Sequence, residues 1–257
     1  MENRSNNSLR YVACVSYPRS GHHLTAGVLR RYFADAFVYC QYYQQDADAC
    51  CQSFPCTNAK VTMTKNHDMD IAENEQSGIP QLPGVPYLVL LRNFLEAAVS
   101  DYHLYLRGHE DSCEAWRAFA TRKSVFYRRF VNKWLNKSPE LEILIVRYED
   151  LTARPLQTYS KITEFFKPSE PIDTEHLQNV IKQSSLADVT PTGTNVIHQF
   201  GVRNRRKIEE FAHYDKEFFA ELEASVADEL AAVGYPLRFQ KQTNPRRWFS
   251  FRPRAAG

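Results

Sequence analysis

The stretch Tyr11-Val-Ala-Cys-Val-Ser-Tyr-Pro-Arg-Ser-Gly-His-His-Leu24 constrains the fold more than any other part of this chain. A short β-prone run ends at Pro18, a tight turn carries Arg19, Ser20 and Gly21, and an amphipathic helix pattern follows. Strand, compact loop and helix in that order make a cradle for an anion, because successive backbone N–H groups converge and the helix N-terminus adds partial positive charge. Leu24, Val28, Leu29 and Tyr32 recur at helical spacing, which places the helix at about 23–34.

The alternation continues downstream. Strands are expected at 60–65, 87–91 and 141–147, and the run 87–91 is apolar enough to be central and buried on both faces. Helices are expected at about 95–106, 113–135, 155–166, 174–183 and 216–233, the last stopped by Gly234 with Pro236 beyond it. In the second of these, Trp116, Phe119, Phe126, Phe130 and Trp134 form an aromatic stripe that reads as core. Residues 35–59 show little periodicity and read as an irregular excursion, and 68–86 read as a loop. Such alternation implies an α/β fold, a central parallel sheet flanked by helices, with ligands bound at the strands' C-terminal edge. A length of 257 residues suits one domain, with its core over about 11–235 and a basic tail at 236–257.

A net charge of +2 hides local asymmetry. Residues 115–137 hold seven basic side chains and no acid, and the tail carries Arg238, Lys241, Arg246, Arg247, Arg252 and Arg254. Both are candidate anion-facing surfaces, with a solvated helix face and a frayed tail as the plain alternatives. No apolar run approaches the roughly 20 residues of a membrane span, and residues 1–10 lack the apolar core of a secretion signal, so the cytoplasm is the expected compartment. Cys40, Cys50, Cys51 and Cys56 crowd one stretch at spacings unlike paired zinc ligands. Reduced thiols are the default there, and their pairing stays open.

Four segments bring polar residues to the sheet edge: Arg19 to His23, Lys65 to His67, Arg92 to Ser100, and Arg147 to Asp150. Their order resembles the family of sulfotransferases that use 3′-phosphoadenosine 5′-phosphosulfate (PAPS), whose fold is P-loop-like. Tyr17-Pro-Arg-Ser-Gly-His-His-Leu24 looks like that family's 5′-phosphosulfate loop, which implies donor contacts by Arg19, Ser20, Gly21, His22, His23 and Leu24. A triphosphatase loop would place Lys and Ser or Thr after Gly21 for the outer phosphates and magnesium. His22-His23 remove both, so no metal is expected. Leu90-Leu-Arg-Asn-Phe94 with Ser100-Asp-Tyr102 resembles the 3′-phosphate site, through Arg92 and Ser100, although the family usually has Pro in place of Phe94. The plain alternative for Arg92 is pairing with Glu96.

Lys65-Asn-His67 looks like the family's strand-end Lys-x-His. The resemblance makes His67 the general base, with Lys65 and Arg19 stabilising charge on the sulfuryl oxygens and the leaving phosphate. Many relatives carry Lys where Arg19 stands. Tyr148 resembles the tyrosine near the adenine, with core packing as an equal alternative. Ser184-Ser185 resembles the segment touching the base and 3′-phosphate, and Arg203 and Arg205 fall in the region of the late basic loop.

The resemblance implies an O-sulfotransferase acting on a hydroxyl of a carbohydrate or small alcohol, an anionic glycan among the candidates, with no specific nucleic-acid partner. Two rivals stand beside it. A P-loop nucleotide-dependent kinase lacks its Gly-Lys-Ser/Thr, and a non-catalytic polyanion-binding protein would rely on the basic helix and tail, with affinity falling steeply in salt.

Overall fold

The β-prone run at the head of the chain forms β1 (Val12–Ser16), buried at every position. The structure, a computed structural model, describes residues 9–41, 51, 53–72, 78–136, 139–186 and 207–239. Four further strands follow: β2 (Tyr39–Gln41), β3 (Met63–Asn66), β4 (Tyr87–Leu91) and β5 (Ile143–Arg147). They form one sheet in the order β2-β3-β1-β4-β5, parallel at every pairing. Parallel neighbours need crossovers, and helices supply them. The first is α1 (His22–Phe33), after β1; α2 (Phe94–Tyr105) and α3 (Cys113–Leu135) connect β4 to β5. Beyond β5 come α4 (Tyr148–Ala153), α5 (Pro155–Phe166), α6 (Thr174–Leu186), α7 (Lys216–Ser225) and α8 (Ala227–Val233).

Successive strand residues alternate between two apolar layers. Ala13, Val15, Tyr87, Val89 and Leu91 pack with Trp116, Phe130 and Trp134 of α3 and with α7, so the aromatic stripe is core. Val12, Cys14, Leu88 and Leu90 join Val28, Leu29, Tyr159 and Phe166 of α1 and α5 on the other side. A sheet covered twice has no polar face, which is why β4 is apolar throughout.

Register sets the edge that matters. Val15 aligns with Asn66, Ser16 with Leu90, and Leu91 with Arg147. The chain therefore leaves β1, β3, β4 and β5 at one level, into Tyr17, His67, Arg92 and Tyr148.

Two expectations change, and a segment left unassigned proves helical. The excursion at 35–59 contains β2, an edge strand of three residues and too short to show a period. The segment after Arg147 is a helix, α4, and Pro155 opens a separate one because Arg154 before it is driven out of helical geometry (φ −135, ψ 55). The helix expected over 216–233 breaks at Val226 (φ −128), whose side chain is fully buried. Its end is as expected: Gly234 (φ 79) turns left-handed, and Tyr235 N–H donates to Leu230 O at 2.8 Å.

Candidate active site

The loop after β1 begins as a turn closed by Ser20 N–H donating to Tyr17 O at 3.2 Å. Pro18 takes its second position and Arg19 its third, at φ 65, a left-handed place that such turns normally give to glycine. Gly21 follows at φ 89 and offers no side-chain cap to α1. The amides of His22, His23 and Leu24 consequently have no intrahelical acceptor, since the first helical bond is Thr25 N–H to Gly21 O. A Cβ on Gly21 would stand 2.9 Å from Tyr148 Cδ2 and 3.1 Å from Leu151 Cδ1, so the loop and α4 meet only because that position is bare. Ser20 Oγ is buried without a hydrogen-bond partner among the described residues.

Cations converge on this loop. Arg19 Nε donates to Ser100 Oγ at 3.0 Å, and Arg92 Nη1 donates to Arg19 O at 3.3 Å. The Arg92 guanidinium lies 4.4 Å over the Tyr148 ring and 3.6 Å from Glu96, a carboxylate that Arg238 also holds. Its Nε is buried without a partner among the described residues. Arg92 thus makes the Glu96 contact that was its plain alternative, and Ser100 is joined to it through Arg19 rather than directly. Lys65 Nζ sits 3.4 Å from His23 Nε2. Burial lowers the pKa of Arg19, countered by Asp101 and reinforced by Arg92. Burial also lowers that of Lys65, which Cys14 counters and Arg19 reinforces. Groups that hold charge against burial and one another have the chemistry to receive an anion.

His67 stands beside them. Its Nδ1 lies 2.8 Å from Ser16 O, and a carbonyl only accepts, so Nδ1 carries the proton and Nε2 keeps its lone pair. Burial lowers the pKa of His67 to about 4, against the Ser16 bond that raises it, so the ring is neutral near pH 7.

Asp68 holds the next residue of chain in place. Its fully buried carboxylate accepts from Lys133 Nζ at 2.9 Å, Trp134 Nε1 at 3.0 Å and Ile79 N–H at 2.5 Å. A Cβ on Gly78 (φ +99) would fall 2.2 Å from Asp68 Oδ1, so this approach requires glycine. Sequence reasoning passed over Asp68 because it opens a stretch that reads as loop. It also passed over Asp101, which pairs with Lys123 at 2.7 Å, and Glu149, which accepts from Asn93 N–H at 3.1 Å and Tyr235 OH at 2.7 Å. The signal for Asp101 was its place beside Ser100.

Other expected residues are placed differently. Both His22 ring nitrogens are engaged in the core, Nδ1 at 3.3 Å from Cys14 Sγ and Nε2 at 2.8 Å from Tyr39 OH. Burial holds its pKa well below the ordinary value, and only its amide is left for a ligand. Leu24 is likewise buried and can offer only its amide. Ser184 is buried and accepts from Arg31 Nη1 at 3.2 Å. The Ser185 side chain, Arg203 and Arg205 lie outside the described residues.

Much of the charge on the basic helix is paired with neighbouring elements. Arg117 pairs with Asp215, Lys123 with Asp101 and Lys133 with Asp68, while Arg129 donates to Ile71 O and Ala72 O at 3.1 and 2.7 Å. Those four residues hold neighbouring elements together. Among the described residues no His/Cys/Asp/Glu group suits a metal ion, and no described helix is long and apolar enough to cross a membrane.

A family model described as the sulfotransferase domain matches residues 81–216. That span includes Arg92, Ser100, Tyr148 and Ser184, and it leaves out the loop after β1 and Lys65 to His67. Among solved structures, the crystal structure of mouse sulfotransferase SULT7A1 complexed with PAP is similar, with a TM-score of 0.54 and 15% identity. The likeness covers 88% of this chain and 89% of that one, and at this identity it is a likeness of fold. None of the curated proteins matches.

Proposed function

The chain belongs to the sulfotransferase domain family, and from that premise we propose that it transfers a sulfuryl group from PAPS to the hydroxyl of an acceptor. The observation that carries this reading is the juxtaposition of half-buried Arg19, Lys65 and Arg92 with the uncapped start of α1 and a neutral His67.

The donor set suits a phosphosulfate. Amides of His22 to Leu24, the buried Ser20 hydroxyl and the Arg19 guanidinium offer donors at one place, and bare Gly21 lets the backbone come close. Arg92 and Ser100, linked through Arg19, suit a second phosphate, and the Tyr148 ring beside them suits a base. Bound there, PAPS would supply the sulfuryl group and a weakly basic phosphate leaving group. His67 Nε2 takes the proton of the acceptor hydroxyl as its oxygen bonds to sulfur. Lys65 and Arg19 stabilise the charge that builds on the oxygens around sulfur and on the departing phosphate, where partial burial strengthens each contact. The acceptor is a carbohydrate or small alcohol.

Calorimetry with adenosine 3′,5′-bisphosphate tests the reading. Binding is expected, weakened roughly tenfold to a hundredfold by Arg92→Ala, in line with the loss of a charged hydrogen-bond donor. No binding to the unaltered chain overturns the proposal, and ATP with magnesium binding in its place would restore the kinase reading.

A further inference from the structure

Apart from the sulfuryl-transfer site, segment 53–57 leans on the sheet beside β3. Cys56 N–H donates to Tyr11 OH at 3.4 Å, Tyr11 OH lies 2.9 Å from Thr64 Oγ1, and the Phe54 ring stacks 6.2 Å from Tyr87. At the outer end of that segment Cys51 is exposed, and its Sγ lies 3.5 Å from Cys56 Sγ. Two thiols at that separation are already in contact, and Cys56 is only half exposed behind the first.

We propose that Cys51 and Cys56 form a reversible redox pair, in which exposed Cys51 reacts with a peroxide and Cys56 resolves the product as an intramolecular disulfide. The surroundings divide the roles. The Thr57 side chain and its N–H, the latter 3.4 Å from Cys51 Sγ, both donate to that sulfur, which favours the thiolate and brings its pKa down to about 6. Burial pushes the Cys56 thiol up, so it stays protonated until the first has reacted. In the first step the Cys51 thiolate attacks one peroxide oxygen, the O–O bond breaks, and the departing hydroxide takes up a proton as water, leaving a sulfenic acid. In the second, Cys56 gives up its proton and attacks the Cys51 sulfur, and the hydroxyl leaves with that proton as a second water. Two thiols and one hydrogen peroxide thus become a disulfide and two waters.

The remaining described cysteines have other surroundings. Cys14 is buried against His22 with its pKa raised by burial, Cys40 is buried on β2 and packs against Cys56 from the inside, and exposed Cys113 lies 3.3 Å from His213 Nδ1. Cys40 also touches Cys56 but is buried, so among the described cysteines Cys51 is the exposed one in contact with a second thiol.

The test starts from fully reduced chain treated with one equivalent of hydrogen peroxide. Peptide 32–60 contains no internal Lys or Arg and carries Cys40, Cys50, Cys51 and Cys56, so tandem mass spectrometry of this tryptic peptide reads the linkage. A Cys51–Cys56 bond reversed by dithiothreitol is expected, unchanged in Cys50→Ser and Cys40→Ser. In Cys56→Ser, a dimedone-trapped sulfenic acid should collect at Cys51. At pH 7 Cys51 should react about threefold to tenfold faster than glutathione, because a larger thiolate fraction outweighs the lower nucleophilicity of a more acidic thiol. A bond from Cys56 to Cys40 or Cys50, an unresolved Cys51 sulfenic acid in the unaltered chain, or a rate no greater than that of glutathione overturns the proposal.

Discussion

Two groups of buried charge lie within a few residues of each other and differ in completeness. The Asp68 carboxylate has no exposure, and Lys133, Trp134 and the Ile79 amide all donate to it. Arg19, Lys65 and Arg92 are partly buried too, yet they lie beside one another and beside an uncapped helix start, and Arg92 Nε has no partner among the described residues. A buried charge completed by the chain itself holds structure, because removing a partner strands the rest. A cluster of like charge that the chain meets only in part, as Glu96 meets Arg92, suits a ligand of opposite sign, and the proposed function supplies one. The difference lies in how fully the chain itself supplies the counter-charge.

The two regions meet at His67, and the largest effect is expected there. Replacing His67 with Ala should lower transfer about 10²-fold to 10⁴-fold, the usual weight of a general base, while affinity for adenosine 3′,5′-bisphosphate holds. Unchanged turnover would remove His67 from the mechanism. Its pH profile adds a sign. With the free-enzyme pKa at about 4, kcat/KM should stay level as pH falls through 6.5 and drop only as the ring gains a proton near 4. An anionic donor alongside favours the charged ring, so the acid limb of kcat should lie at higher pH than that of kcat/KM. Coincident limbs near 6.5 would mean that the ring is not buried against Ser16 in solution.

How much of this could be read beforehand depends on how each feature is written in the chain. The sheet was legible because both its faces are buried, and 87–91 shows that in five consecutive apolar residues. The loop after β1 was legible because Pro18, Ser20 and Gly21 carry turn chemistry locally. By contrast, β2 has three residues and no period, and its Tyr39 becomes meaningful only through the bond to His22. Asp68 illustrates the same limit from the side of energetics. Its partners lie 11, 65 and 66 positions away, so nothing near it in sequence announces a buried carboxylate. The basic helix meets the same limit: a local count of positive charge cannot show that Lys123 and Lys133 are met by Asp101 and Asp68.

The contrast between completed and incomplete charge is sharpened by paired substitutions. Asp68→Ala should destabilise the fold by about 3–5 kcal/mol, since Lys133 and Trp134 Nε1 lose a buried partner, and Asp68→Asn, which keeps the shape, by about 1.5–3 kcal/mol. Both are read by urea unfolding. Arg92→Ala should do the reverse, lowering nucleotide affinity at a much smaller cost in stability, because the lost contacts to Glu96 and Tyr148 are offset by removing a cation that faces Arg19. If Asp68→Ala left stability unchanged, or Arg92→Ala cost as much as Asp68→Ala, the division between the two regions would fail.

The smallest effect separates the two duties of one residue. Arg19 holds a left-handed backbone at φ 65 and carries a cation at the site. Left-handed geometry costs a residue with a Cβ roughly 1–2 kcal/mol, and glycine avoids that cost, although it loses more chain entropy on folding. Arg19→Gly should therefore fold about 1 kcal/mol more stably than Arg19→Ala, a shift of a few degrees in Tm for a chain of this size. Neither variant has the guanidinium, so nucleotide affinity and transfer should fall equally in both. That pattern, unequal stability with equal loss of function, would tie the strain to the turn and the chemistry to the charge. Equal stability of the two variants would show that the turn relaxes out of the left-handed region once the side chain no longer reaches Ser100, and the loop would then owe its shape to the contacts of Arg19 rather than to Pro18 and Gly21.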